Sequence, residues 1–122
     1  MKEVIDVGLP PLKQPFSWAV KAPLHHSSML FTAHGPVRPD GSIATGSVSE
    51  QARLTFTNLR QAVHAAGGTM ADVTQVLIYM TEVQDMAAID AVYREFFEPP
   101  YPNRSSAAVA ALVVPGMKLE IV

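Results

Sequence analysis

Eight consecutive residues, Val73-Thr74-Gln75-Val76-Leu77-Ile78-Tyr79-Met80, constrain this chain more than any others. They are rich in β-branched side chains and nearly continuous in apolar character, which predicts a central strand buried on both faces. Such a strand needs a layer on each side. One layer is announced upstream by Ser47-x-x-Glu50, a capping box in which each side chain satisfies the other's free backbone N–H. Ala52, Phe56, Leu59, Val63 and Ala66 then repeat at alternating spacings of four and three, one apolar stripe of a helix, and Gly67-Gly68 ends it. A second helix is predicted from about Asp85, with Met86, Ile89, Tyr93 and Phe96 or Phe97 on one side. Glu98-Pro99-Pro100-Tyr101-Pro102 terminates it, because proline cannot continue the hydrogen-bond ladder.

Strands are predicted over residues 16–22 and 28–33, joined by a loop at 23–26, and over 104–111 and 117–122, around a turn at Pro115-Gly116. The segment 35–41 is dense in turn residues, and residues 1–15, with Pro10, Pro11 and Pro15, read as an extended arm or edge segment. The order is β-β-α-β-α-β-β, an α+β domain over residues 1–122 with one sheet and both helices on one face. The other face must then be covered, and a copy of the same chain is the best candidate. Composition points the same way: only 16% of residues are charged while 48% are hydrophobic, where a soluble domain carries about a quarter charged. A chain this short of surface charge is expected to hide part of its surface in an oligomer.

The formal charge is −2, and the nine Lys and Arg residues are scattered without a run of two, which disfavours a nucleic-acid partner. There is no cysteine, so disulfides, thiolate catalysis and cysteine zinc sites are excluded. The N-terminal segment lacks an apolar signal-peptide core, and no stretch reaches membrane-spanning length, so a cytoplasmic protein without membrane contact is expected.

Four histidines are the first acid–base candidates. His25 and His26 are adjacent in a loop, where extended neighbours point apart and make poor metal co-ligands; no metal site is expected. His64 falls on the polar side of the first helix. His34 ends a strand beside Gly35-Pro36, where a side chain can face a cleft. Serine catalysis lacks support, since there is no Gly-x-Ser-x-Gly elbow, and no phosphate-binding loop follows Gly67-Gly68.

Arg104 opens a strand of small residues just after the proline loop. An arginine there can hold a carboxylate by two parallel hydrogen bonds, or simply pair with a neighbouring acid at the surface. Glu120 lies between Leu119 and Ile121, and strand alternation puts it on the face opposite them, facing solvent or a cavity.

Glu50-Gln51-Ala52-Arg53, Asn58-Leu59, Ala65-Ala66-Gly67, Asp72-Val73, Tyr93-x-x-Phe96-Phe97 and Arg104-Ser105, in this element order, resemble the Rid family, the YjgF-like reactive-intermediate (imine/enamine) deaminases. The resemblance implies a chorismate-mutase-like protomer whose sheet packs into a central barrel in a homotrimer, with clefts at the subunit interfaces. It implies substrates that are small 2-imino or 2-enamino acids released by pyridoxal-phosphate enzymes, products that are 2-keto acids and ammonia, and no cofactor or metal. Arg104 maps to the arginine that grips the substrate carboxylate, and Glu120 to the glutamate that positions water. Phe16, Ala33, His34, Gly35, Asp90 and Ser106 map to the pocket walls. Several of these depart from the family pattern: Phe16 stands for a tyrosine, Ala33 for a serine, His34 for a glycine, Asp90 for an asparagine and Ser106 for a cysteine. The anchor and the carboxylate are kept while the walls change, which predicts altered or broader substrate choice, with His34 a source of acid–base help if it faces the pocket. Other readings are a non-catalytic trimer that binds keto or amino acids through Arg104, a deaminase of an aminomuconate-like intermediate, and the RNA cleavage ascribed to some relatives, against which the charge distribution argues.

Overall fold

A computed structural model describes residues 1–122. Six strands and two helices appear in the order β1 (Glu3–Val4), β2 (Ala19–Pro23), β3 (Ser28–Thr32), α1 (Val48–Ala65), β4 (Gln75–Met80), α2 (Met86–Phe96), β5 (Asn103–Ala108) and β6 (Leu119–Ile121). The expected order is present, and the N-terminal arm contributes the edge strand β1.

The single expected sheet is two three-stranded ladders, β1-β2-β3 and β5-β4-β6. They are joined just past β3, where His34 and Ile121 exchange both backbone hydrogen bonds at 2.9 Å. In the second ladder β4 is central, parallel to β5 and antiparallel to β6. The expected strand over 16–22 starts later, at Ala19, because Trp18 leaves the ladder and its indole N–H donates to the Pro10 carbonyl at 2.7 Å.

α1 forms as its sequence dictates. The Ser47 hydroxyl accepts from the Glu50 N–H at 3.2 Å, and a Glu50 carboxylate oxygen accepts from the Ser47 N–H at 3.1 Å. At the other end Gly67, at φ +89°, takes the left-handed conformation that glycine tolerates, and Gly68 N–H reaches back to the Val63 carbonyl at 3.0 Å. Ala52, Phe56, Leu59 and Val63 are buried, joined by Ile89, Val92, Tyr93 and Phe97 of α2 and the following turn. The Phe56 ring meets Tyr93 edge-on at 5.7 Å, and that pair locks the helices together. Both helices cover Val76, Ile78, Met80, Leu119 and Ile121.

Central strand β4 is fully covered on that face only. Val76, Ile78 and Met80 are buried, whereas Leu77 and Tyr79 are half-buried. The expected cover on both faces is therefore half supplied within one chain. The uncovered face is apolar: Phe31, Met29, Val4 and Val122 are all exposed. No helix is long and apolar enough to cross a membrane.

Candidate active site

Pairing register decides which candidate residues can meet. Val76 of β4 faces the helices and is paired with Arg104 of β5, so Arg104 projects on the helix side, as does Ser106 opposite Ile78. Tyr79 projects from the other face and is paired with Glu120. His34, paired with the inward-facing Ile121, turns toward the helices, so its neighbours Ala33 and Gly35 fall on the Glu120 side. The candidates thus divide into an Arg104 group and a Glu120 group on opposite faces of one sheet.

The Arg104 group lies where the edge strand β5 meets α2. Arg104 Nη1 stands 2.7 Å from Asp90 Oδ1, and the guanidinium carbon lies 4.9 Å from the centre of the Tyr93 ring. Cation–π contact with the ring face helps hold the guanidinium in place. Met86 Sδ, at 4.0 Å from Nη2, closes another side. Arg104 and Asp90 keep 26% and 29% of their side-chain surface exposed. Both open on a cavity of about 240 Å³ that also involves Tyr93, Arg94, Tyr101 and Pro102. The Tyr93 hydroxyl has no hydrogen-bond partner, and burial raises its pKa, with the Asp90 charge adding to the rise and Arg104 opposing it. Ser106 is exposed one strand step beyond.

Glu120 is half-buried on the open face, and burial raises its carboxyl pKa. Its strand is held from α1. The buried Gln51 donates from Nε2 to the Gly116 carbonyl at 3.0 Å and accepts from the Lys118 N–H at 2.8 Å. The buried Asn58 likewise donates to the carbonyls of Gly35 at 3.2 Å and Val37 at 2.9 Å, fixing the loop that follows β3. Sequence reading missed both roles. The signal was present, since Gln51, Thr55 and Asn58 follow the same four-and-three spacing as the apolar stripe, in positions where polar side chains need buried partners.

His34 is not a cleft residue of this chain. Only 1% of it is exposed, and burial lowers its pKa from 6.5 to about 4. Its ring stacks on Trp18 at 6.0 Å, and Nε2 lies 2.5 Å from the Thr32 hydroxyl. That hydroxyl already donates to the Trp18 carbonyl at 2.9 Å, so Nε2 carries the proton and the buried Nδ1 is left without a partner. Phe16 is 54% exposed, its ring edge-on to Trp18 at 5.9 Å. The rings of His25 and His26 lie 4.0 Å apart rather than diverging, because the segment bends instead of extending. No three His, Asp or Glu side chains come together as metal ligands. A larger groove, about 480 Å³, opens between β3 and the first half of β4 and includes none of the candidate residues.

Comparison with known proteins adds a family. A family model described as Endoribonuclease L-PSP matches residues 10–122. A protein of Dermatophagoides farinae named 2-iminobutanoate/2-iminopropanoate deaminase is 40% identical over 112 residues, 91% of this chain and 86% of that protein. Mitochondrial protein mmf2 of Schizosaccharomyces pombe is 31% identical over 109 residues, 88% of this chain and 83% of that one. Among solved structures, E. coli TdcF with bound serine superposes with a TM-score of 0.82 at 34% identity, covering 98% of this chain and 94% of that one.

Proposed function

The chain belongs to the Endoribonuclease L-PSP family, the YjgF/RidA or Rid proteins, and from that membership we propose that it hydrolyses small 2-imino or 2-enamino acids to 2-keto acids and ammonia. Relatives in this family are named as deaminases of 2-iminobutanoate, 2-iminopropanoate and reactive intermediates. The observation that carries the reading for this chain is Arg104, a half-buried guanidinium over the Tyr93 ring at the wall of a small cavity. A cation held against a ring face by its neighbours, with several N–H groups uncommitted, is suited to a substrate carboxylate.

In this reading Arg104 anchors the carboxylate and so places the imine carbon. Glu120 accepts a proton from water as the water oxygen bonds to that carbon and the C=N π electrons move to nitrogen. For the protonated imine, Glu120 returns that proton to the carbinolamine nitrogen and then takes the hydroxyl proton as the C–N bond breaks, so the carbonyl forms, ammonia leaves and the proton ends on Glu120. Burial supports the role, because a carboxyl with a raised pKa is a stronger base once ionised. General acid–base assistance of this kind is worth roughly a hundred- to ten-thousand-fold in rate.

Arg104 and Glu120 cannot serve one substrate from opposite faces of a single sheet. The complete site therefore takes Arg104 from one copy and Glu120 from another. We place it in the clefts of a homotrimer whose central barrel is formed by the apolar faces that carry Phe31, Met29 and Leu77. A cytoplasmic location and the removal of reactive imines belong to the same proposal. The scattered basic residues and net charge of −2 favour it over RNA cleavage.

The test is an imine-loss assay in which an amino-acid oxidase generates 2-imino acids of several sizes and semicarbazide traps what remains. The expected result is accelerated loss with the wild type and background rates with Arg104→Ala and Glu120→Ala. Retained ligand binding with no acceleration for any imine would instead establish the non-catalytic reading.

A further inference from the structure

The ion pair at the anchor carries a consequence for ligand choice, which rests on Arg104 being the carboxylate anchor. We infer that Asp90 and Arg104 together form a two-headed recognition unit for ligands bearing a carboxylate and, on the adjacent carbon, a protonated nitrogen, and that Asp90 is the residue that separates imine substrate from keto-acid product.

Three observations support the unit. First, the 2.7 Å contact between Arg104 Nη1 and Asp90 Oδ1 is short, yet Oδ1 receives no directed hydrogen bond. Charge holds the two together with Oδ1 buried against the guanidinium, and the exposed part of the carboxylate, which carries Oδ2, makes no hydrogen bond and is the acceptor left for a ligand. Second, apart from the Asp90 contact, the guanidinium meets only the Tyr93 face and the Met86 sulfur, so most of its five N–H donors are free. Third, both side chains are about a quarter exposed and border the same cavity, so one small molecule can reach both charges.

A ligand with a lone carboxylate that approaches Arg104 must also approach Asp90, and the like charges repel. A protonated nitrogen next to that carboxylate turns the repulsion into a charge-assisted hydrogen bond. The iminium form of a 2-imino acid has this layout, and it is also the form with the more electrophilic carbon. Hydrolysis removes the nitrogen and leaves a keto acid that meets only the Asp90 repulsion, which promotes its departure. Arg94 lines the outer part of the cavity, and both ligand types feel it through their shared carboxylate, so it does not discriminate between them. An uncharged amide at position 90 would lack this selectivity.

L-Alanine and pyruvate are a matched pair of probes, equal in carbon count and differing in the nitrogen. Their binding is measured by calorimetry to the assembled wild type, Asp90→Asn and Arg104→Ala, with imine turnover and pyruvate inhibition recorded in parallel. Wild type is expected to bind alanine about tenfold tighter than pyruvate, the scale of one charge-assisted hydrogen bond. Asp90→Asn is expected to erase that preference and to strengthen product inhibition by pyruvate. A preference unchanged in Asp90→Asn, equal affinities in wild type, or no alanine binding to wild type would overturn the inference. If Arg104→Ala still abolishes turnover in those cases, the deaminase reading survives on its own. Alanine and pyruvate binding that is indifferent to Arg104→Ala would overturn the anchor and the inference together.

Discussion

Arg104 and Glu120 project from opposite faces of the same three-stranded ladder, three residues out of phase along β4 at Val76 and Tyr79. Any site that uses both is shared between copies, and this has a direct test. Arg104→Ala and Glu120→Ala proteins, each inactive, are unfolded together and refolded. Random mixing places an intact Arg104 opposite an intact Glu120 in about a quarter of the interfaces of a cyclic oligomer. Imine hydrolysis is expected to return to about that fraction of the wild-type rate by the same mixing statistics. No recovery, with mixed oligomers shown by mass spectrometry, would place both residues' work within one chain.

His34 makes stability depend on pH. Its folded pKa of about 4 lies below the ordinary 6.5, so between these values the unfolded chain binds more protons than the folded one. The neutral histidine's contribution is complete above pH 6.5 and is lost as pH falls toward 4. The loss amounts to about 3 kcal/mol at most. Urea unfolding at pH 7 and pH 4.5 is expected to show the fall, and His34→Gln to flatten it. An equal slope in the variant would mean that another group titrates.

The local part of this architecture was readable in the sequence because local rules govern it. The Ser47–Glu50 box, the Phe56–Leu59–Val63 stripe and the Gly67 cap need only neighbours in the chain, and each formed as expected. Pairing does not follow from local rules. The break into two ladders at His34–Ile121, the burial of His34 beneath Trp18, and the opposed faces of Arg104 and Glu120 depend on register between distant strands. The Asp90–Arg104 pair likewise joins residues that share no helix or strand. Naming both as pocket residues did not reveal that they touch.

The uncovered sheet face predicts the fate of a charge placed on it. Phe31, 58% exposed, is paired with Val20 across the face that also holds Leu77 and Met29. Phe31→Asp buries no new charge in the isolated chain, but would bury one in the proposed barrel. The variant is expected to keep the far-ultraviolet dichroism of the wild type, to run as a monomer in light scattering, and to lose imine hydrolysis. An intact, active oligomer would rule this face out as the interface.

Gln51 is the link from α1 to the strand that carries Glu120, and sequence reading did not anticipate it. It is wholly buried and, beside a longer 3.4 Å bond from Nε2 to the Gly46 carbonyl, satisfies one carbonyl, Gly116, and one N–H, Lys118, on the turn that leads into Glu120. Gln51→Ala leaves two backbone groups without partners at a cost of about 1–3 kcal/mol each. Gln51→Glu keeps the acceptor for Lys118 but sets a carboxylate against the Gly116 carbonyl, and burying that charge is expected to cost more than the alanine change. Both variants should lower the urea midpoint, and because the turn carries Glu120, kcat should fall further than the affinity for alanine, which depends on the distant Arg104 group. Equal losses in kcat and in alanine affinity would show that Gln51 supports the fold as a whole and not the placement of Glu120.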